Sequence, residues 1–333
     1  MAPRGRLVAL VVALGAGAIG CGGTLDAGRD RSHGPLPVDE RNPVILDQDD
    51  WSGDWLGEYA VMLANSGGPP LAGIIVNKTP FWGDVNANAM GWNNLLAAAS
   101  MSGLKNLPVV TPSPGDPLTR PADGQIESTV ANDTAGARLM RDVSQQLSTP
   151  TRPVVIVVTT SFTDLANAYF LDRTIVNRVV VVAAAGSYQA PNGVLDRPNG
   201  DMDPWADWIV TQRYTFVDVG TWYDQTGDIT DANVMNLPMN PFGMWISKKR
   251  SQIIDIDTAS DQVALLSFGL PMFTTSAVPA SPDISAGFNS AQGPNIVPDP
   301  NGKCWLVTGI VGARAGNKLW DMLLTLFPAP ASP

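Results

Sequence analysis

One histidine and two cysteines are all that these 333 residues hold of the side chains most used for nucleophilic and zinc chemistry. The histidine, His33, sits in a polar stretch with Gly, Pro and mixed charges. A Ser-His-Asp hydrolase needs an imidazole beside its nucleophile, so that class is excluded. Pairs such as Gly186-Ser187 also lack the surroundings of a nucleophile elbow. There is no zinc-type Cys/His spacing and no glycine-rich phosphate loop. Basic charge is scarce too, with 21 Lys and Arg against 31 Asp and Glu. That balance disfavours nucleic acid and anionic lipid as partners. No internal repeat and no domain boundary is visible.

The first residues read as an export signal. Arg4 and Arg6 form a positive start, Leu7 to Gly17 a short apolar core, and Ala18-Ile19-Gly20-Cys21 a cleavage site of the lipoprotein type. The apolar stretch is short and Gly-rich for a spanning helix, and no further span follows. Residues 1–20 are therefore expected to be a signal. Residues 21–42 are expected to be a tether carrying a lipidated Cys21, which would hold the chain on a bacterial membrane surface. Ordinary secretory cleavage is the alternative. Without residues 1–20 the chain has 19 basic and 31 acidic residues, a net charge of about −12. Cys304, in Cys304-Trp305-Leu306-Val307, reads as a small core residue. Once Cys21 is acylated no internal disulfide can form.

Residues 43–328 alternate short β-rich runs with amphipathic stretches. This predicts a single α/β domain with a mostly parallel open sheet and helices on both faces. Expected strands are Val44–Asp47, Leu71–Val76, Leu107–Thr111, Val154–Thr159, Val179–Ala184 and Thr215–Val219. Several are unbroken Val/Ile runs, as strands covered on both faces require. Expected helices are Trp55–Asn65, Asn86–Ser102, Ala135–Leu147, Thr163–Leu171, Trp205–Thr211, Asp261–Phe268 and Lys318–Phe327. Asp133 and Thr134 stand where they can cap the third of these. The Pro-, Gly-, Ser- and Asp-rich segments Pro112–Asp123 and Ser276–Pro300 are expected as surface loops, the second long enough for a rim or lid.

The first strand runs straight into acid: Pro43-Val44-Ile45-Leu46, then Asp47-Gln48-Asp49-Asp50, with Asp54 and Glu58 beyond. Clustered carboxylates at the carboxyl edge of an α/β sheet lie where such folds bind ligands. Hard oxygen donors there suit a divalent cation and a polyhydroxy substrate.

Several pieces, in order, resemble the inosine-uridine-preferring nucleoside hydrolases over roughly residues 43 to 325. Val44-Ile45-Leu46-Asp47-Gln48-Asp49 is similar to the family's strand and the start of its Asp-x-Asp-x-x-x-Asp-Asp cluster. Gly83-Asp84-Val85 resembles its Gly-Asn-Val turn, and Pro108-Val109-Val110 with Asp116-Pro117-Leu118 its next strand and loop. Pro153 to Ala166 parallels a strand, a Thr-Gly-Pro-Leu-Thr-Asn turn and a helix. Arg178-Val179-Val180-Val181-Val182 resembles the strand before a Gly-Gly turn. Asn199 with Asp203-Pro204-Trp205-Ala206 resembles an Asn…Asp-Pro-x-Ala segment, and Asp261 a late aspartate.

The resemblance implies a Ca2+ ion at the bottom of the pocket that binds ribose hydroxyls, and a water deprotonated by an aspartate that attacks C1′. Carried over by position, it makes Asp49 the base and a metal ligand, with Asp47, Asp54, Asp261 and the Thr159 carbonyl as further ligands. Asp84, Asn199 and Asp54 would face the substrate. The implied partner is a nucleoside or sugar; oligomeric assembly is left open.

The chain departs from that pattern in three places. The adjacent Asp-Asp pair is absent; Asp54 and Glu58, four apart on one helix face, are candidates to replace it, or else a cap and a solvated first-turn residue. Asp84 replaces the turn asparagine. Ser260 stands where the family has histidine, so an imidazole does not protonate the leaving base. Stacking on Trp51, Trp82, Trp205 or Trp222 is the alternative. Two functions follow: Ca2+-assisted N-glycoside hydrolysis, or a non-catalytic exported protein of the same fold that binds a nucleoside, sugar or partner.

Overall fold

Unbroken apolar runs pair most stably in the middle of a sheet, and here they do. The computed structural model describes residues 34–50, 55–79, 83–184, 188–189, 195–196, 199–222, 237–252, 261–311 and 315–327. The signal, Cys21, His33, Trp51, Asp54, Trp82 and Ser260 lie outside the described residues. Five parallel strands form one half of the chain: β1 (Val44–Gln48), β2 (Leu71–Asn77), β3 (Val110–Ser113), β4 (Val154–Val158) and β5 (Val179–Ala183). A two-residue ribbon follows, β6 (Tyr188–Gln189) with β7 (Leu195–Asp196). β8 (Thr215–Asp218), β9 (Thr274–Pro282), β10 (Ile296–Pro298) and β11 (Cys304–Ile310) complete the main sheet. Its nine strands run in the order β10-β9-β11-β8-β5-β4-β1-β2-β3. All pair in parallel except β9, which is antiparallel to both β10 and β11.

The helices are α1 (Leu56–Asn65), α2 (Val85–Met101), α3 (Ala135–Leu147), α4 (Thr163–Leu171), α5 (Pro204–Arg213), α6 (Pro241–Gln252), α7 (Gln262–Gly269) and α8 (Ala315–Leu326). Side-chain alternation assigns the two faces. Val155 and Val157 join a core with residues of α1, α2, α7 and α8, while Val154, Ile156 and Val158 join a second core with α3, α4 and α5. Each fully buried Val or Ile contributes roughly 1.5–3 kcal/mol, so the central strands are the stable part of the domain. Thr134 caps α3, its hydroxyl accepting from the Ala137 amide at 3.2 Å.

Two expectations are corrected. Ser276–Pro300 is mostly not loop, since β9 and β10 occupy much of it and only the stretch between them connects as one. These strands lie at the far margin of the sheet, where only Thr274 and Ala280 of β9 are buried, and a marginal strand needs no apolar run and tolerates Pro. Helix α6 has no counterpart among the predicted elements. Its sequence, PFGMWISKKRSQ, carries no clear apolar stripe. Cys304 is buried, its thiol donating to the Thr211 carbonyl at 3.7 Å.

Candidate active site

The strand order itself locates a crevice. From β1 the chain moves outward to β2 and β3; it then returns to β4 on the other side of β1 and proceeds to β5 and β8. β1 and β4 thus flank the point where the winding reverses, and ligands of open α/β sheets bind outside the carboxyl ends there. The residues at those two ends are Asp47-Gln48-Asp49-Asp50 and Thr159-Thr160-Ser161, and all seven are buried.

Asp47 ends β1 on the α3/α4 face. Asn77, at the end of β2, donates its amide to Asp47 Oδ1 at 2.7 Å, and the Thr159 amide donates to the Asp47 carbonyl at 3.0 Å. Asp47 Oδ2 is buried without a hydrogen-bond partner. Burial, then the fields of Asp164 and Asp49, push this carboxyl well above the usual carboxylate range. Asp164 is a residue that the sequence reading passed over. It lies in the first turn of α4, accepts from the Thr134 hydroxyl, and is raised by burial to about 6 against the hydroxyls of Thr134 and Ser113, which lower it.

Gln48, next along β1, points to the opposite face. Its Oε1 accepts from the Asp49 amide at 2.9 Å and from the Thr159 hydroxyl at 3.0 Å. Its Nε2 donates to Asp261 Oδ2 at 3.2 Å. Asp261 stands at the N-cap of α7, yet its side chain makes no cap hydrogen bond. Asp49, Thr159 and Asp261 are therefore brought together through one amide. The Asp49 carbonyl also accepts from Asn88 of α2 at 2.6 Å.

The other predicted contacts stand further out. Asn199 is buried beyond the end of β5, its amide donating to the Ala184 carbonyl at 3.2 Å. Asp84 is exposed and caps α2, Oδ1 accepting from Asn86 and Ala87 amides at 2.8 and 2.9 Å; it lies one turn from Asn88. Asp203 caps α5 through Ala206 and also accepts from the Leu118 amide and the Thr163 hydroxyl.

No protein-family profile and no curated protein sequence matches the chain. Solved structures do. The inosine-uridine-preferring nucleoside hydrolase from Bacillus anthracis superposes with a TM-score of 0.59 at 14% identity, covering 85% of this chain and 98% of its own. The chain has the nucleoside hydrolase fold. The purine-preferring ribonucleoside hydrolase from Gardnerella vaginalis agrees, at TM-score 0.58 and 16% identity over 86% of this chain and 99% of that one. A plant nucleoside hydrolase gives 0.55 and 15% over 86% and 99%.

On this nucleoside hydrolase fold, the donor set of the crevice suits a hard cation in its chemistry: two buried carboxylates at the carboxyl end of β1, Asp47 with an orphaned oxygen and Asp49 just beyond the strand, the carboxylate of Asp261, and neutral oxygens at the end of β4. No group of three or more His, Cys, Asp or Glu among the described residues already converges on one point. Ca2+ accepts carbonyl and water oxygens beside carboxylates, so a set with few converged acids still fits it.

Glu58 is neither solvated nor turned toward Asp47. It is buried, with both oxygens 3.1 Å from Lys249 Nζ of α6 and one accepting from Trp245 Nε1 at 3.2 Å. Trp205 is core, its indole donating to Thr129 at 3.0 Å and its ring edge-on to Phe288. Trp222, just past β8, is half-buried and held by a 3.0 Å bond from its indole to the Val307 carbonyl. Among the described residues, it is the tryptophan from the stacking candidates that keeps an open side.

Proposed function

We propose that the domain hydrolyses the N-glycosidic bond of a nucleoside or related ribosyl compound with the help of Ca2+. The observation that carries this reading is the pair of buried carboxylates Asp47 and Asp49 at the winding-reversal point of a nucleoside hydrolase fold, with Asp47 Oδ2 lacking a partner. Asp47, Asp49, Asp54, Asp261 and the Thr159 carbonyl would hold the cation. When bound it would supply positive charge that keeps these acids ionised, binds vicinal hydroxyls and acidifies a neighbouring water.

Asp49 takes a proton from the attacking water, and its charge favours the oxocarbenium-like state at C1′. By the resemblance, Asp84, Asn199 and Asp54 would face the ribose hydroxyls. With no histidine beyond His33, departure of the base rests on stacking and solvent, and Trp222 is the described candidate. The same reading has the domain exported and tethered through a lipidated Cys21. Metabolic labelling with a fatty acid, lost in Cys21→Ser, tests that part.

The test of the activity is release of free ribose from purine and pyrimidine nucleosides by the domain without residues 1–20, with Ca2+ and with chelator. Chelator-sensitive release supports the reading. No release by folded protein with Ca2+ present turns it toward the non-catalytic alternative, a nucleoside- or sugar-binding protein.

A further inference from the structure

Gln48, the spacer between two acids, bonds to Asp49, Thr159 and Asp261. Strand alternation sends Asp47 to the α3/α4 face and Gln48 to the face of α1 and α7. The two acids assigned to one cation, Asp47 and Asp261, therefore approach the crevice from opposite faces of the sheet. Asp261 lies 213 residues further along the chain and does not use its carboxylate to cap α7. The Gln48 amide ties it to β1, donating to Oδ2 at 3.2 Å. That amide is itself held at its other end by the Asp49 backbone and the Thr159 hydroxyl, at 2.9 and 3.0 Å. Gln48 is almost wholly buried, so water does not compete for these bonds.

We propose that Gln48 is a positioning residue for the cation site: its amide orients Asp261 so that the remaining carboxylate oxygen is presented to the crevice beside Asp49 and Thr159. The inference rests on the Ca2+-dependent reading above but not on turnover. A carboxylate that binds a metal through one oxygen is commonly oriented by a hydrogen bond on the other, and loss of such a partner weakens metal binding roughly 10- to 100-fold. Gln48 carries both halves of that arrangement, an acceptor that anchors it and a donor that aims Asp261.

The experiment is direct Ca2+ titration by calorimetry of the full folded domain as wild type, Q48M, D261N and the double variant. Q48M is expected to weaken Ca2+ binding roughly 10- to 100-fold. Q48M placed on D261N is expected to add no further loss, because the residue it acts through is already disabled. Equal losses in both backgrounds would show that Gln48 acts on the fold at large and overturn the proposal. A wild-type domain that binds no Ca2+ would overturn it as well. Should Q48M not fold, Gln48→Asn keeps a polar amide too short to reach Asp261 and is expected to show the same dependence on Asp261. Because binding is read without substrate, a domain that binds Ca2+ in this pattern yet releases no ribose removes the hydrolase reading and leaves the role of Gln48 standing.

Discussion

Asn77 gives its amide to one oxygen of Asp47 across the β1–β2 pair and leaves the other oxygen buried without a partner. An ionised carboxylate held this way is costly, since desolvation disfavours charge and only one oxygen is compensated. Asp47→Asn keeps the acceptor that Asn77 uses and removes the charge. In chelator at pH 7 this variant is expected to melt at or above the wild-type temperature. Ca2+ should raise the melting temperature of the wild type, by about 2.7 kcal/mol of added stability at a hundredfold excess over Kd, and should leave Asp47→Asn unmoved. Strong destabilisation of the variant in chelator would mean that Asp47 is a structural residue instead.

Asp164 makes the metal-free fold pH-dependent in a direction opposite to that of a salt-bridged carboxylate. Its folded value is raised from 3.8 to about 6, so between those values the folded chain binds more protons than the unfolded one. Stability is then greatest below about pH 4 as far as this group is concerned, falls as pH rises, and has lost about 3 kcal/mol by neutral pH. Asp47, raised by burial, acts in the same sense. Urea melts in chelator should show Asp164→Asn more stable than wild type at pH 7.5 and the two nearly equal at about pH 3. A variant equally destabilised at both values would assign Asp164 to packing against Gly136 and Thr134.

Gly136 tests the same corner sterically. A Cβ there would meet Asp164 Oδ2 at 2.1 Å and Ile75 Cγ2 at 2.8 Å. Gly136→Ala is expected to cost roughly 1–3 kcal/mol through overpacking, read from the urea midpoint. A shift near zero would show that α3 moves freely away from α4.

The central strands were legible because each is an apolar run bounded by polar residues, and their register follows once both faces are covered. The acids were legible as a cluster, and Asp47 and Asp49 lie where the sheet winding reverses. Gln48 was not, because a glutamine between two aspartates carries no periodic signal; its role appears only when Asp261 arrives from distant sequence. Asp164 was hidden for a similar reason. It looks like a first-turn acid of α4, favourable to the helix dipole, and only the packing of α3 shows that it is buried beside Asp47. Lys249 sits in Lys248-Lys249-Arg250 and reads as solvated charge, whereas it is buried against Glu58 and over the Trp55 ring. β9 and β10 escaped because strands at a sheet margin can be built from Ser, Thr and Pro.

Asp49 is the residue on which the proposed chemistry turns. Asp49→Ala deletes the carboxylate but keeps the backbone contacts to Gln48 and Asn88, which use its amide and carbonyl. The fold should therefore survive, with a melting temperature in chelator close to wild type. Ribose release should fall by roughly 10^3-fold, the usual scale for loss of a general base that also stabilises charge. Unchanged turnover would remove Asp49 from the mechanism.

The Glu58–Lys249 pair separates stability from chemistry in the residue that looked like a replacement ligand. Both side chains are buried, and two charges withdrawn from water are compensated chiefly by each other and by the Trp245 indole. Removing one partner takes the ion pair from the other buried charge, so Lys249→Met is expected to cost about 3–5 kcal/mol. Replacing both, as Glu58→Gln with Lys249→Met, should recover most of that loss, because a neutral amide can still accept from Trp245. Urea unfolding of the single and double variants measures the difference. If Glu58 instead served the cation, the double variant would regain stability and still lose Ca2+ affinity. The geometry predicts that it regains stability and keeps that affinity, since the carboxylate is already committed to Lys249.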